Sequence, residues 1–264
     1  MIRARWLIVL AVLAFLGTLV FHAPASLLYA WSRGAQAPAG GAVLHGVHGT
    51  LGAGGFAGLT VNQRPVLGEG RWTLHPWWLP LLRLSADFET AGDTVIRVGV
   101  SRAVFGKLRL SGLNAAGNVK ALLGSLGQPA LPVDGQARLE FPVIRLDDGR
   151  PVEARGSAQI ENLAWTLARE PLPLGSFTAD LSTDDKGIRV DLSSGPGPLE
   201  LSGVATLAPD QAYDLHLQMR PRPQAPEQLL TLVRSLGQPD AQGWYHVRRN
   251  GTLASPPKPK PKTP

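Results

Sequence analysis

Cysteine is absent from all 264 residues. Its absence excludes disulfide staples and thiolate metal sites, and it suits an envelope protein as well as a cytosolic one, so the compartment must be read elsewhere. Charge is also scarce: 17% of residues are charged, with 26 Lys and Arg against 20 Asp and Glu, a formal net charge of +6. That excess sits at the ends. Arg3 and Arg5 precede the first apolar run, and Lys258, Lys260 and Lys262 lie in the C-terminal tail, so the body between nets +6 − 5 = +1. Nucleic-acid binding needs a concentrated basic face, and a near-neutral body argues against a nucleic-acid partner.

Apolar residues are plentiful, 44% of the chain, which excludes disorder and suffices for one large or two small domains. The longest apolar run is Trp6 to Phe21, interrupted only by Gly17 and Thr18. As a helix its sixteen residues rise about 24 Å at 1.5 Å per residue, short of a hydrocarbon core of about 30 Å. Apolar character resumes at Leu27, Leu28, Tyr29, Ala30 and Trp31. A cleaved signal peptide ending at Ala23-Pro-Ala25 is one reading. A retained anchor over residues 1–31, with Tyr29 and Trp31 as an interfacial belt, is the favoured one. In both, Arg3 and Arg5 stay cytoplasmic and the body crosses the membrane.

From Thr94 onward apolar and polar residues alternate with period two. Ile96, Val98 and Val100 share a face, as do Leu108 and Leu110; Phe177, Ala179 and Leu181; Ile188, Val190 and Leu192; and Tyr213, Leu215, Leu217 and Met219. Strict alternation predicts strands with one apolar and one wet face. Asp134-Gly135, Asp148-Gly149, Lys186-Gly187 and Asn250-Gly251 supply turn signals between or beside these runs. The expected fold is mainly β, a long antiparallel meander.

An octet recurs within it: "LLGSLGQP" from Leu122 and "LVRSLGQP" from Leu232, 110 residues apart. Leu229, Leu232, Val233 and Leu236, and before the first copy Val119, Leu122, Leu123 and Leu126, follow the i, i+3, i+4, i+7 spacing of one helical stripe. Pro226 suits a first turn, Asn118 an N-cap, and Gly127, Pro129, Gly237 and Pro239 suit helix stops. Both copies therefore read as helix endings. The predicted organisation is a first β-rich repeat over residues 40–130, a second over 131–254, each ending in a short amphipathic helix, and a Pro/Lys-rich tail over 255–264. The tail "SPPKPKPKTP" reads as a polyproline II segment, a solvated end rather than a docking peptide.

Candidate chemistry is thin. His45 and His48 lack a third ligand of suitable spacing. Gly52 to Ala57 fits the letter of a dinucleotide fingerprint, but a strand rather than a helix is expected to follow. Ser125 and Ser235 lie outside any G-x-S-x-G elbow. Asp147, Asp148 and Glu153 could supply glycosidase carboxylates, although Asp148-Gly149 is a turn signal. No nucleophile, base and orienting acid are visible together, nor a phosphate loop or paired metal site.

The segments "GVHGTLGAGGFAGLTVNQRPVLGEGRWTLHPWWLPLLRLSADFE" and "GPGPLELSGVATLAPDQAYDLHLQMRPRPQAPEQLLTLVRSLGQPDAQGWYHVRRNGTL" resemble the type II secretion system protein N (general secretion pathway protein N) family over nearly the whole chain apart from the tail. The resemblance includes Arg220 to Pro223 and the "LGQPDAQGWY" after the second helix. Family members tend to carry a tryptophan where this chain has Gly52, so Phe56 is expected to take over the anchoring of the first strand. The resemblance implies an accessory component of type II secretion in the bacterial inner membrane, single-pass, with its C-terminal domain in the periplasm and with other secretion components as partners. It further implies an AsmA-like bent sheet forming an apolar trough, with no enzymatic activity and no catalytic, cofactor-binding or metal-binding residues. Because two helices of about ten residues cannot cover so long a meander, the sheet either closes on itself as a sandwich or holds lipid or another hydrophobic ligand.

Overall fold

The structure is a computed structural model describing residues 18, 21–35, 42–61, 64–77, 82–92, 94–103, 106–125, 131–166, 170–235 and 237–252. The chain leaves a helical turn at His22, whose N–H donates to Thr18 O at 3.0 Å, and Leu51 and Gly52 then donate to Ala23 O and Phe21 O at 3.0 and 2.9 Å. Helix α1 starts only after this link, at Ala25–Ala35. The two apolar stretches near the N-terminus are thus divided by a turn at residues 22–24. Tyr29, expected in a membrane belt, accepts the Leu44 N–H at 2.7 Å, while Trp31 stands 78% exposed. Among the described residues no helix is long and apolar enough to cross a membrane. The run from Trp6 lies mostly outside them, as do Leu126, Gly127, Pro129, Leu236 and the Pro/Lys tail.

The short strands come first: β1 (Ala42–His45), β2 (His48–Gly49), β3 (Ala53–Phe56), β4 (Gly58–Val61), β5 (Arg64–Leu67) and β6 (Gly70–Leu74). The meander follows as β7 (Arg83–Thr90), β8 (Thr94–Ala103), β9 (Leu108–Asn118), helix α2 (Val119–Ser125), β10 (Val133–Asp147), β11 (Arg150–Trp165), β12 (Leu172–Asp184), β13 (Gly187–Ser194), β14 (Leu199–Leu207), β15 (Ala212–Pro221), helix α3 (Glu227–Arg234) and β16 (Tyr245–Thr252). From β6 to β16 each strand pairs antiparallel with its sequence neighbour, the pattern that short hairpin links enforce. The sheet continues past β6 to β3 and β2, making thirteen strands, while β1, β4 and β5 form a separate three-stranded sheet. The large sheet is one continuous layer, and the sandwich alternative of two packed sheets does not describe it. It runs unbroken across residues 130 and 131, because β9 pairs with β10 from Leu108↔Leu146 to Asn118↔Gln136.

Turn chemistry explains two hairpins and corrects two expectations. Asp148 and Gly149 have φ of +47° and +79°, the two positive values of a type I′ turn, and they join β10 to β11. Asp185 and Lys186 join β12 to β13, and Gly187 opens β13 at φ +125°. Asp134-Gly135 is no turn: it lies inside β10 at a register shift against β11, where the bulge absorbs the glycine. Asn250-Gly251 is also inside a strand, β16. Gly251 pairs with Tyr213, whose ring atoms lie 2.9 to 3.1 Å from where a Cβ would stand, so the glycine makes room rather than a bend. Pro142, which has no N–H to give a ladder, falls in a second β10–β11 register shift between Glu140 and Val143.

Both octet helices form. Asn118 caps α2 by accepting the Lys120 N–H at 2.8 Å, and Pro226 stands at the N-cap of α3, with Gly237 at φ +140° beyond its end. Val119 and Leu122 are buried on α2, and Leu229 and Val233 on α3. Leu232 departs from the expected stripe, being 43% exposed, because an eight-residue helix lying on a sheet buries a narrower arc than one enclosed by neighbours. The helices organise two separate cores. Val119 and Leu122 pack with Ala115 and Ala137, flanked by Ile96, Leu139, Ile160 and Leu163. Leu229 and Val233 pack with Leu172, Leu199 and Tyr245, flanked by Trp165, Phe177 and Met219.

Candidate functional site, the apolar face of the sheet

Cross-strand partners point to the same side of a sheet, so the pairing register sorts every side chain to one of two faces. One row runs Ile96–Ala115–Leu139–Ala158–Ala179–Leu192–Gly203–Leu217–Val247 across nine strands. The row one residue away runs Val95–Ala116–Arg138–Gln159–Thr178–Ser193–Ser202–Gln218–His246. The first is wholly apolar and the second is mostly polar. A further apolar row, Val100–Leu110–Ile144–Ala154, lies toward the strand ends away from the helices. Beyond β8 the same face continues through Val98, Phe88 and Trp72.

Both helices lie on this apolar face and at one end of it, as their flanking residues Ile96, Leu139, Phe177 and Met219 show. With seven and eight residues, they are only about 10 and 12 Å long at 1.5 Å per residue. The sheet has twelve gaps between its thirteen strands, about 58 Å along the hydrogen-bonding direction at roughly 4.8 Å per gap. Among the described residues the two helices therefore cover only a small part of the face. Burial agrees: of the fifteen residues of β10 only Ala137 is buried, and Leu215, Leu217 and Val247 are half-buried. The site is an open apolar trough wall, built because alternation supplies more greasy surface than the chain supplies helix to cover it.

The opposite face is laced with surface ion pairs. Arg97 meets Glu89 at 2.6 Å, Arg189 meets Asp191 at 2.7 Å and Arg220 meets Glu200 at 2.7 Å. The guanidinium hydrogen bonds hold the Asp191 and Glu200 carboxyls below the usual carboxylate range. Exposed pairs of this kind contribute at most about 1 kcal/mol each; they keep this face wet, while strand register is set by the apolar pattern and the turns. Arg220 also lies 4.4 Å over the Trp244 ring, tying the segment after α3 to β15.

At the first strands an aromatic stack closes the apolar face. Phe56 is 3% exposed and stacks on Trp72 and Phe88 with ring centroids 6.5 and 6.1 Å away. Phe56 thus anchors β3, while the space above Gly52 is filled by the Phe21 ring, into which any side chain at position 52 would run. Nothing in local periodicity pointed to this stack, since its members come from three strands far apart in sequence.

The residues considered for chemistry are not brought together. His45 Nε2 shares a hydrogen bond with Thr60 Oγ1 at 3.0 Å, and His48 Nδ1 with Gly46 O at 2.9 Å. Among the described residues no three His, Cys, Asp or Glu side chains are grouped to hold a metal. Within Gly52 to Ala57, β3 (Ala53–Phe56) leads into β4 rather than into a helix that could hold a pyrophosphate. Ser235 Oγ donates to Leu232 O at the end of α3, and Ser125 closes α2. Asp147 pairs with Lys107 at 3.1 Å, Glu153 with Arg145 at 2.9 Å, and Asp148 forms the hairpin turn. Each of these acids serves a turn or an ion pair.

An open antiparallel sheet, greasy on one side and salt-bridged on the other, defines a β-rich module whose resource is a surface rather than a pocket. The chain matches the family described as Type II secretion system (T2SS), protein N, over residues 40–248, and it belongs to that family. It is 28% identical over 260 residues to the type II secretion system protein N of Aeromonas hydrophila, covering 92% of this chain and 96% of that one. It is 30% identical over 228 residues to the protein of the same name from Vibrio cholerae serotype O1, covering 81% and 86%. No solved structure matches.

Proposed function

We propose that the protein is an accessory inner-membrane component of the type II secretion pathway, anchored by its N-terminal apolar run, with its sheet in the periplasm. It supports export of folded proteins across the outer membrane through non-catalytic contacts with other components of the pathway. The observation that carries this reading is the family match across residues 40–248, joined to an apolar run that starts at Trp6 behind two arginines. In this reading residues 1–31 anchor the chain, and residues 40–130 and 131–254 are two β-rich repeats sharing one sheet, each ending in its helix. Deleting the gene is expected to lower secretion of folded exoproteins while their delivery to the periplasm continues. Unchanged secretion in the deletion strain removes the support for this role.

A second reading, compatible with the first, is that the uncovered apolar face holds lipid in an AsmA-like trough. The nine-strand apolar row, with two short helices over one end of it among the described residues, supports this, because contiguous exposed apolar surface of this extent marks a binding site in soluble domains. Mass spectrometry of the purified protein is expected to find stoichiometric phospholipid, reduced by Leu217→Asp, which lies midway along β15 on the apolar face. Lipid-free protein, or lipid unaffected by that substitution, counts against a trough.

A further inference from the structure

The hairpin joining β6 to β7 presents large apolar side chains to solvent. Trp77 is 85% exposed, Leu82 61% and Leu84 54%. His75 N–H donates to Ser85 O at 2.8 Å, which closes the hairpin and gathers the exposed groups at one tip. A soluble domain gains nothing by holding a tryptophan in water, and large exposed apolar clusters mark interaction or membrane surfaces.

Two further observations select the occupant. First, the tip lies at the chain's exit from its N-terminal apolar run: Leu74, the last residue of β6, donates its N–H to Gly52 O at 2.7 Å, and Gly52 donates to Phe21 O at 2.9 Å. Second, the neighbouring strand ends are basic. Arg102 is exposed and pairs in register with Leu84, and Arg83 reaches Ser101 Oγ at 3.1 Å. Tryptophan and leucine beside arginine is the composition of a membrane–water interface, where the indole seats at headgroup level and the cations meet anionic phosphates.

We propose that the β6–β7 tip, through Trp77, Leu82 and Leu84, dips into the leaflet beside the N-terminal run, so that the end of the apolar face away from α2 and α3 abuts lipid. This rests on the reading of that run as an anchor. A single contact of this kind fixes the sheet's orientation, because a helix and a hairpin tip held in one interface leave it less freedom to swing.

The absence of cysteine makes the test direct. The full chain is reconstituted into phosphatidylethanolamine and phosphatidylglycerol vesicles with an environment-sensitive fluorophore on Trp77→Cys, on Leu82→Cys or on Leu232→Cys. The last is an exposed position on α3 at the opposite end. Labels at 77 and 82 are expected to emit at shorter wavelength, to be quenched by nitroxide-bearing lipid, and to be several-fold less accessible to iodide than the label at 232. If the protein floats with the vesicles but the labels at 77 and 82 are as open to iodide as that at 232, the tip proposal fails and the anchor stands. Protection from iodide without quenching by nitroxide lipid means that protein covers the tip, which also overturns the proposal. A chain that does not float with vesicles removes the anchor and the tip contact together.

Discussion

Leu229→Ala tests whether the two helices hold separate cores. Leu229 is 0% exposed and packs with Leu172, Leu199, Val233 and Tyr245. Truncation deletes three carbons, a loss of about 2.4 kcal/mol at roughly 0.8 kcal/mol per buried methylene. The unfilled cavity raises the total to about 3–4 kcal/mol, inside the range of about 2–5 kcal/mol for buried leucines. Leu232→Ala removes the same atoms from a position 43% exposed on the same helix, where the cost is expected to stay below about 1 kcal/mol. Hydrogen exchange of the full chain in micelles, read by mass spectrometry, separates local from global effects. For Leu229→Ala, exchange in β14, β15 and β16 is expected to rise roughly 100- to 1,000-fold, at about 1.4 kcal/mol per tenfold. Exchange in β8 to β10, which belong to the α2 cluster, should change little. Equal acceleration in both regions would refute the two-core description, and equal effects of the two leucines would refute the packing of α3.

Three more outcomes follow from particular contacts. Gly156 has φ +148° and its would-be Cβ meets Glu140 O and the Phe141 backbone and ring, so Gly156→Ala should destabilise the β10–β11 pairing by more than about 1 kcal/mol, seen as a lower denaturation midpoint. Asp240 is held below the usual carboxylate range by its hydrogen bond to His246, then by those from the Trp244 and Gln242 N–H groups. A depressed carboxyl adds stability above its unfolded value, lost as pH falls through the folded one; acidification below about 4 should loosen the 237–244 segment, visible in Trp fluorescence, and Asp240→Asn should remove that step. Arg220→Lys keeps a positive charge but loses the planar fork that bonds Glu200 and stacks on Trp244; weaker protection of the segment between α3 and β16 is expected in hydrogen exchange.

The meander was legible because period-two alternation is a local signal. The runs ending in Val100, Leu181, Leu192 and Met219 all became strands on one face of one sheet. The octet helices were legible for the same reason, since caps, stops and leucine spacing act within a few residues. Asp134-Gly135 and Asn250-Gly251 misled because a glycine that makes room for a neighbouring strand looks, in sequence, like one that makes a turn. Leu232 was misplaced because spacing tells which residues align on a helix and not how wide an arc the sheet will cover.

Sequence alone determined that this chain would be an antiparallel β protein with greasy and wet faces and two short amphipathic helices after the octet pattern. Tertiary structure decided that thirteen strands line up in one open layer, that Phe56, Trp72 and Phe88 stack at its beginning, and that both octet helices lie at one end of the apolar face. The difference is physical: alternation and capping are settled by interactions between near neighbours, whereas register, stacking and coverage depend on which distant strands meet, and side-chain pattern is repeated too uniformly along this chain to specify that by itself.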